Sequence, residues 1–365
     1  MIGLKKKSGE AADLKRNVHI TLLYTLAHFL VDLACVYLVT SVVLGAPEGV
    51  WRRGWIIVLY NLVAFAGQLP VGIAADRLDR NARLAVGGCL LVALAYALHS
   101  APYTACLLCG LGNAAFHIGG GIDVLNISGR RAVLPGIFVS SGALGVWLAY
   151  RVAGRVDIWL FPVLLVAASA ALLQLDTKNR REYGVHNAPP VYGRPGALVL
   201  TGTFLLLGTV VLRSYYGMIM RFDWKSDGML SLCFVLAVVL GKALGGLFAD
   251  RFGRTKLSLC SLPTAAALFG FLFRVPAADI FAVFLFNMTM PVTLTAVAEL
   301  CGGKNGFAFG LTTFALFAGL LPVFAGQTPF FSPAGLAGGC LTSCAMTVGG
   351  LLICRAKRRE RDVAA

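Results

Sequence analysis

The chain has 365 residues, of which 58% are hydrophobic and only 13% are charged, and its mean hydropathy is +0.78. This balance excludes an ordinary soluble globular protein and indicates a protein embedded in a lipid bilayer. The formal net charge of +15 does not indicate a nucleic-acid partner, because the lysines and arginines concentrate in the two tails and in alternate loops between apolar runs.

Twelve apolar runs follow one another, each close to the roughly 20 residues that a helix needs to cross the hydrocarbon core. The predicted spans are residues 18–43, 54–75, 84–101, 103–126, 132–150, 156–175, 196–220, 228–249, 257–273, 277–298, 306–326 and 333–354. The runs are continuously apolar, whereas the strands of an outer-membrane barrel alternate, so we expect an all-α membrane protein.

The placement of the positive charges predicts the orientation. Lysines and arginines are enriched in the N-terminal tail, in the even-numbered loops and in the C-terminal segment RAKRRER. This bias predicts that both termini are cytoplasmic in the cell (inner) membrane. The polar N-terminal segment is too long for the charged lead of a cleaved signal peptide, so we expect the first span to be retained.

A nine-residue segment, GIAADRLDR at 72–80, recurs as GLFADRFGR at 246–254, which is an offset of 174 residues. The same offset aligns Asn113 with Asn287. Repetition at half the chain length predicts two parallel six-helix repeats. The predicted division is a cytoplasmic tail over 1–17, a first half over 18–175, a cytoplasmic linker over 176–195, a second half over 196–354 and a basic cytoplasmic tail over 355–365.

The repeated segment resembles the G-x-x-x-D-R-x-G-R loop signature of the major facilitator superfamily, with Asp79 in the first copy where the second has Gly253. The resemblance implies the major facilitator fold and a gating role for the signature residues, with the carboxylate at a helix terminus and the arginines binding neighbouring groups. These residues are Asp76, Arg77, Arg80, Asp250, Arg251 and Arg254. A merely basic loop that orients the chain is the alternative.

Two further segments, AHFLVDLACVYLV from Ala27 and GLGNAAFHIGGG from Gly110, resemble the first and fourth helices of fosmidomycin-resistance-type members. Ile118 stands where those members usually have proline, and the fifth run, SSGALGVWLAY, has no Gly-Pro element of the kind common in drug/proton antiporters. The resemblance implies proton-coupled export of an anionic or amphiphilic drug or metabolite by alternating access. Proton-coupled uptake of a metabolite is the alternative within transport.

Ionisable groups inside a membrane are costly and mark transport paths. His28 and Asp32 are four residues apart near the centre of the first span, so they share one helix face. We predict that this pair couples transport to protons. A static hydrogen bond between the two side chains, or a fixed ion pair of Asp32 with Lys242, is the alternative.

Other polar side chains near mid-depth are candidate substrate ligands, because sites in such folds lie between the halves. They are Asn113, His117, Lys242, Asn287 and Arg213. A packing role for the asparagines, and snorkelling of Arg213 to the interface, are the alternatives. If Arg213 and Lys242 both reach the cavity, they favour an anionic small organic solute.

Neither a nucleotide-binding loop nor a metal-ligand motif is recognisable, so we expect no cofactor, no metal and no enzymatic activity. A membrane-embedded enzyme or sensor built on His28, Asp32 and His117 is the alternative outside transport. All ten cysteines lie in or beside apolar runs, and we predict no disulfide. The expected partners are the solute, protons and the bilayer, and the expected state is a monomer.

Overall fold

The computed structural model describes residues 2–45, 50–182, 186–187 and 195–364. Within these ranges the protein is helical and contains no strand. The first helix, α1 (Ile2–Gly45), begins before the predicted span at residue 18, so the helix extends through most of the predicted N-terminal tail.

Seven further helices form the first half. They are α2 (Val50–Asn61), α3 (Gln68–Leu78), α4 (Asn81–Ala97), α5 (Pro102–Ser128), α6 (Val133–Phe138), α7 (Gly142–Val152) and α8 (Leu160–Glu182). A π-helical turn over Leu62–Ala66 joins α2 to α3, and together they make one segment that crosses the bundle. Such turns often occur beside functional sites because they shift the register of the following side chains.

Seven helices form the second half. They are α9 (Ala197–Ile219), α10 (Gly228–Phe252), α11 (Arg254–Phe271), α12 (Pro276–Asn287), α13 (Met290–Leu300), α14 (Asn305–Phe324) and α15 (Pro333–Ala364). Prolines lie in the first turns of α12 and α13, where the missing N–H would have no helical partner. Asp227 caps α10 by accepting a hydrogen bond of 2.8 Å from the Leu230 amide.

The described part of the chain contains nine helical segments that are long and apolar enough to cross a membrane. Three of them combine two helices each, across the π turn, across the break between α6 and α7, and across that between α12 and α13. Two shorter apolar helices, Asn81–Ala97 and Leu160–Leu175, lie between these segments. The protein is therefore a multi-pass membrane protein.

The helices extend beyond two predicted boundaries. α8 reaches Glu182, inside the predicted linker 176–195, and α15 reaches Ala364, inside the predicted C-terminal tail. Within the linker, residues 183–185 and 188–194 lie outside the described residues, whereas His186 and Asn187 are described.

The halves pack against each other through equivalent helices. α3 packs on α14, and α6 packs on α10. Gly72 and Gly306 bring α3 and α14 into backbone contact, because a Cβ on Gly72 would overlap the Gly306 carbonyl. Small residues at such contacts allow two membrane helices to approach closely.

Candidate functional site

A cavity of about 250 Å³ lies between the two halves. α1, α3, α5 and α7 of the first half contribute to its wall, and α9, α10, α13 and α14 of the second half complete it. Its polar lining residues are His28, Asp32, Gln68, His117, Arg213, Lys242, Thr293, Thr312 and Thr313. The predicted proton-coupling pair and three of the predicted substrate ligands thus line one cavity.

His28 and Asp32 meet on the face of α1 that borders this cavity. The Nε2 atom of His28 lies 3.2 Å from a carboxylate oxygen of Asp32. His28 is buried, whereas the Asp32 side chain is 17% exposed. The four-residue spacing therefore produces the predicted contact.

α5 adds two groups to the same carboxylate. His117 Nε2 lies 3.6 Å from Asp32 Oδ1, and the Asn113 amide donates to Oδ1 at 3.2 Å. The ligand-type atoms of His28, Asp32 and His117 all lie within 4.8 Å of one another. The sequence analysis predicted no metal here, yet these are three groups of the kind that bind divalent transition metals.

Backbone carbonyls fix the tautomers of both imidazoles. His28 Nδ1 lies 2.7 Å from the Phe138 carbonyl, and His117 Nδ1 lies 2.9 Å from the Asn113 carbonyl. A carbonyl only accepts, so we assign the proton of each ring to Nδ1. Each neutral ring then directs the lone pair of Nε2 at the Asp32 carboxylate. The lone pairs and the carboxylate concentrate negative charge at one point. A cation between these atoms, such as a proton on Nε2, offsets that charge.

Gly142 makes room for this cluster at the start of α7. A Cβ at this position would overlap the Asp32 carboxylate and lie 2.7 Å from His28 Nε2. Any larger residue would displace the carboxylate from the two imidazoles. In the sequence Gly142 is one of two glycines in the fifth run, SSGALGVWLAY, and nothing in that pattern predicts this contact.

The second half supplies two cations. Arg213 is buried, and its guanidinium donates to the hydroxyls of Thr293 at 3.2 Å and Thr289 at 2.9 Å. Its Nε has no hydrogen-bond partner in the described part of the protein. Lys242 Nζ reaches across to the first half and donates to the Val139 carbonyl at 3.3 Å. Burial corrects the snorkelling interpretation of Arg213, because its charge is held in the cavity wall.

Other site predictions are placed differently. The described lining of the cavity includes neither Asn113 nor Asn287. Asn113 supports Asp32 from behind, and Asn287 donates to the Val283 carbonyl of its own helix at 2.8 Å. Thr312 and Thr313 also line the cavity, although they were not predicted as site residues. In the sequence they are two adjacent polar residues inside an apolar run.

The loop-signature residues lie at one end of the bundle, which we call the motif end. Asp76 accepts hydrogen bonds from the amides of Gly306 at 2.7 Å and Phe307 at 2.9 Å, at the start of α14. Asp250 accepts in the same way from the amides of Ala132 at 2.9 Å and Val133 at 2.9 Å. Each carboxylate thereby caps a helix of the opposite half, where the helix dipole favours negative charge.

The signature arginines divide into two groups. Arg254 pairs with Glu299 at 2.8 Å and also donates to the Arg130 carbonyl, so it links both halves. The other three are exposed at the motif end. They are Arg77, Arg80 and Arg251.

Neither a family model nor a curated protein matches the sequence. Solved structures do match. FucP in its outward conformation aligns with a TM-score of 0.64 at 11% identity, over 90% of this chain and 98% of that one, and it is described as a major facilitator superfamily transporter. The chain has the major facilitator fold.

Two further structures share the major facilitator fold with this chain. A second structure of FucP, the fucose:proton symporter of E. coli, here carrying a single substitution, has a TM-score of 0.63 at 12% identity, over 92% of this chain and 98% of that one. A bacterial homologue of the iron transporter ferroportin, outward-facing and soaked with iron, has a TM-score of 0.61 at 12% identity, with the same coverages. Identities this low show the fold alone. The predicted all-α major facilitator fold is confirmed, whereas the predicted count of twelve spans is not.

Proposed function

We propose that the protein is a secondary active transporter of the major facilitator superfamily, of the fosmidomycin-resistance type, and not an enzyme. In this proposal twelve helices in two halves cross the inner membrane, both termini are cytoplasmic, and the monomer works by alternating access around the central cavity. One observation carries the proposal: a cavity between the halves has an acid–imidazole cluster on one wall and two cations on the other, the buried Arg213 and the partly buried Lys242.

The solute in this proposal is a small organic anion. Arg213 and Lys242 border the cavity, and their described hydrogen-bond partners are neutral hydroxyl and carbonyl oxygens. A buried or partly buried cation whose described hydrogen bonds go to neutral oxygens favours a ligand that brings negative charge, because burial makes an unbalanced charge costly. A carboxylate or phosphonate supplies that charge and accepts several donors at once.

His28 and Asp32 are the proposed proton-coupling pair, with His117 beside them. This proposal is supported by the imidazole lone pairs that face the Asp32 carboxylate, because a proton between them offsets the negative charge. Motion of the halves that changes access of water to this cluster would change its affinity for a proton. Export in exchange for protons follows the sequence resemblance, whereas uptake, as in a symporter, is the alternative that the FucP likeness favours.

The signature residues are the proposed gate. Asp76 and Asp250 each cap a helix of the opposite half, so both contacts must break when the motif end opens. Arg254 adds a link to Glu299 and to the Arg130 carbonyl. We assign the exposed arginines, Arg77, Arg80 and Arg251, a supporting role through their charge at the same end.

A divalent metal ion is the second candidate solute. The Nε2–oxygen spacings of 3.2 and 3.6 Å around Asp32 are near the spacing of neighbouring ligands about 2.0–2.2 Å from one tetrahedral ion. Both imidazoles donate their other N–H to a backbone carbonyl, as metal-bound histidines usually do. The iron of the ferroportin homologue belongs to the same class of solute.

Transport by the purified protein in proteoliposomes tests these alternatives. An imposed pH gradient should drive accumulation of at least one member of a panel of carboxylates and phosphonates, chemically unchanged, while the matched neutral esters should not accumulate. Accumulation of Zn²⁺ or Co²⁺ in place of the anions would select the metal alternative. A chemically altered product, or accumulation that ignores the gradient, would refute proton-coupled transport.

A further inference from the structure

Asp79 ends α3 in an unusual conformation. Its φ of 47° lies in the left-handed region, which residues other than glycine seldom adopt. Its carboxylate accepts a hydrogen bond from the backbone amide of Asn187 at 2.9 Å and lies 2.8 Å from His186 Nδ1. The side chain that departs from the loop signature therefore binds the segment that joins the two halves.

Asn187 is held by more contacts than its position in a linker requires. The Nδ2 atom of its side chain donates to the Ala75 carbonyl at 3.0 Å, near the end of α3. Its oxygen accepts from Asn81 of α4 at 2.8 Å and from Asn126 of α5 at 3.0 Å. One side chain thus connects three helices of the first half at the motif end.

This network continues into the second half. Asn305, the first residue of α14, donates to the Asn126 oxygen at 2.8 Å. The next amide, that of Gly306, is the one capped by Asp76. The linker is therefore one hydrogen-bonded side chain away from the contact that holds the halves together.

Among the described residues, the second half has no equivalent of this arrangement. The offset of 174 residues places Gly253 opposite Asp79 and Thr255 opposite Asn81. Gly253 has a φ of 97°, and a Cβ there would meet no atom within 4 Å. The second loop makes its turn with glycine, as the signature requires, whereas the first loop accepts a strained residue and gains a binding group.

We propose that His186 and Asn187 form a linker latch that stabilises the closed motif end and so slows its opening. Docked on Asp79, Asn81 and Asn126, the latch orients Asn126 toward Asn305 and favours the state in which Asp76 caps α14. The latch acts on the equilibrium between the closed and the open motif end, so the proposal does not depend on which solute is transported.

The two latch residues contribute unequally. The His186 side chain is 54% exposed, and exposed ion pairs contribute little. Asn187 bonds instead to the buried Asn81 and to backbone carbonyls, where a lost partner leaves a buried polar group unsatisfied. Asn187 is therefore the residue to change.

Hydrogen exchange of the full-length protein in lipid nanodiscs tests the latch. The readout is exchange of the amides capped by the two gate carboxylates, Gly306 and Phe307 on one side and Ala132 and Val133 on the other. Asn187→Ala should speed exchange at both sites by about tenfold, because both caps break when the motif end opens. His186→Ala should change either site by about twofold or less.

Substitutions at Asp79 give the control. If Asp79 only forms a turn, Asp79→Gly relieves the left-handed strain and leaves exchange unchanged or slower. The latch predicts faster exchange in Asp79→Gly, and a smaller increase in Asp79→Asn, which tolerates the turn and keeps one acceptor. Asp79→Asn also serves if Asn187→Ala does not fold. Unchanged exchange at both capped sites, with faster exchange confined to the linker and α3, would overturn the proposal.

Discussion

The internal repeat is preserved in the capping contacts at the motif end but not in the charged residues of the central cavity. At the motif end the contacts of the two gate carboxylates follow the repeat. Asp76 caps α14 through the amides of residues 306 and 307, and Asp250 caps α6 through those of residues 132 and 133, each at the same offset of 174. Equivalent residues therefore do the same mechanical work in each half.

In the cavity the repeat is broken at every charged position. The offset pairs Asp32 with Leu206, His28 with Gly202, His117 with Pro291, Lys242 with Gln68 and Arg213 with Val39. The first half contributes the acid and the imidazoles, and the second half contributes the cations. Symmetric positions thus hold the two halves together, whereas asymmetric ones supply the chemistry of the site.

The largest effect should follow from the only carboxylate among the described cavity-lining residues. Asp32→Asn should abolish accumulation driven by a pH gradient, because the amide neither holds the charge nor exchanges the proton. Solute exchange without a gradient should persist, since the gate is untouched. Gradient-driven uptake and counterflow in proteoliposomes measure the two activities side by side.

Asp279→Asn is the matched control for this prediction. Asp279 is a fully buried carboxylate, and it lies on α12 with the Trp224 indole as its donor at 3.1 Å, outside the described cavity lining. Its variant should retain gradient-driven accumulation. If Asp32→Asn also retains it, the proton-coupling role of the cluster is wrong, and the static hydrogen bond becomes the better interpretation.

The opposite wall should set affinity for the solute. Arg213→Met and Lys242→Met should each weaken binding of an anionic solute by about 10- to 100-fold, because a charge-assisted hydrogen bond contributes about 1.5–3 kcal/mol. Arg213→Lys should restore part of the loss, since it keeps the charge without the planar donors. Solute-induced shifts of the unfolding temperature measure the affinities.

Asn287→Ala provides the comparison within the second half. Asn287 is buried and bonds to its own helix, so its loss should change affinity by about twofold or less even where it lowers stability. Equal losses of affinity in Asn287→Ala and Arg213→Met would show that the assay reports stability and not binding. An unchanged affinity in both cation variants would remove the case for an anionic solute.

Sequence patterns sufficed for the fold because its signals are long and repeated. Runs of about 20 apolar residues predict helices, and two copies of one loop predict two halves. Breaks inside the predicted spans, such as the π turn before Gln68, were not foreseeable, because they depend on packing between helices. The helical extension of α8 to Glu182 was missed because polar residues ended the apolar signal.

Part of the site was also predictable. Four-residue spacing on α1 predicts the contact of His28 with Asp32, and intramembrane charge singles out Arg213 and Lys242. Which of the polar residues share a cavity depends on helix rotation, which a single sequence does not encode. That is why Asn287 was expected to face the solute, and why no pattern pointed to the backbone carbonyls that fix both imidazoles.

The smallest effect should come from the gate, and it tests the symmetry itself. Asp76→Asn and Asp250→Asn each replace a charged cap of a helix N-terminus by a neutral one, which costs about 0.3–1 kcal/mol. Each should therefore speed hydrogen exchange at its own capped amides by about twofold to fivefold. Because the two caps break together when the motif end opens, each variant should also speed exchange at the other cap.

Comparing the increase in exchange caused by Asp76→Asn with that caused by Asp250→Asn shows whether the two caps stabilise the closed motif end equally. Asp76 lies beside the linker latch, which holds α3 and Asn126 even when its cap is weakened, whereas the described support beside the Asp250 cap is the single hydrogen bond of Arg254 to the Arg130 carbonyl. Asp250→Asn should therefore open the motif end more than Asp76→Asn does, and Asn187→Ala should remove the difference. Exchange that rises only at the substituted cap would mean that the two contacts open independently, which is incompatible with a gate formed by both halves moving as units.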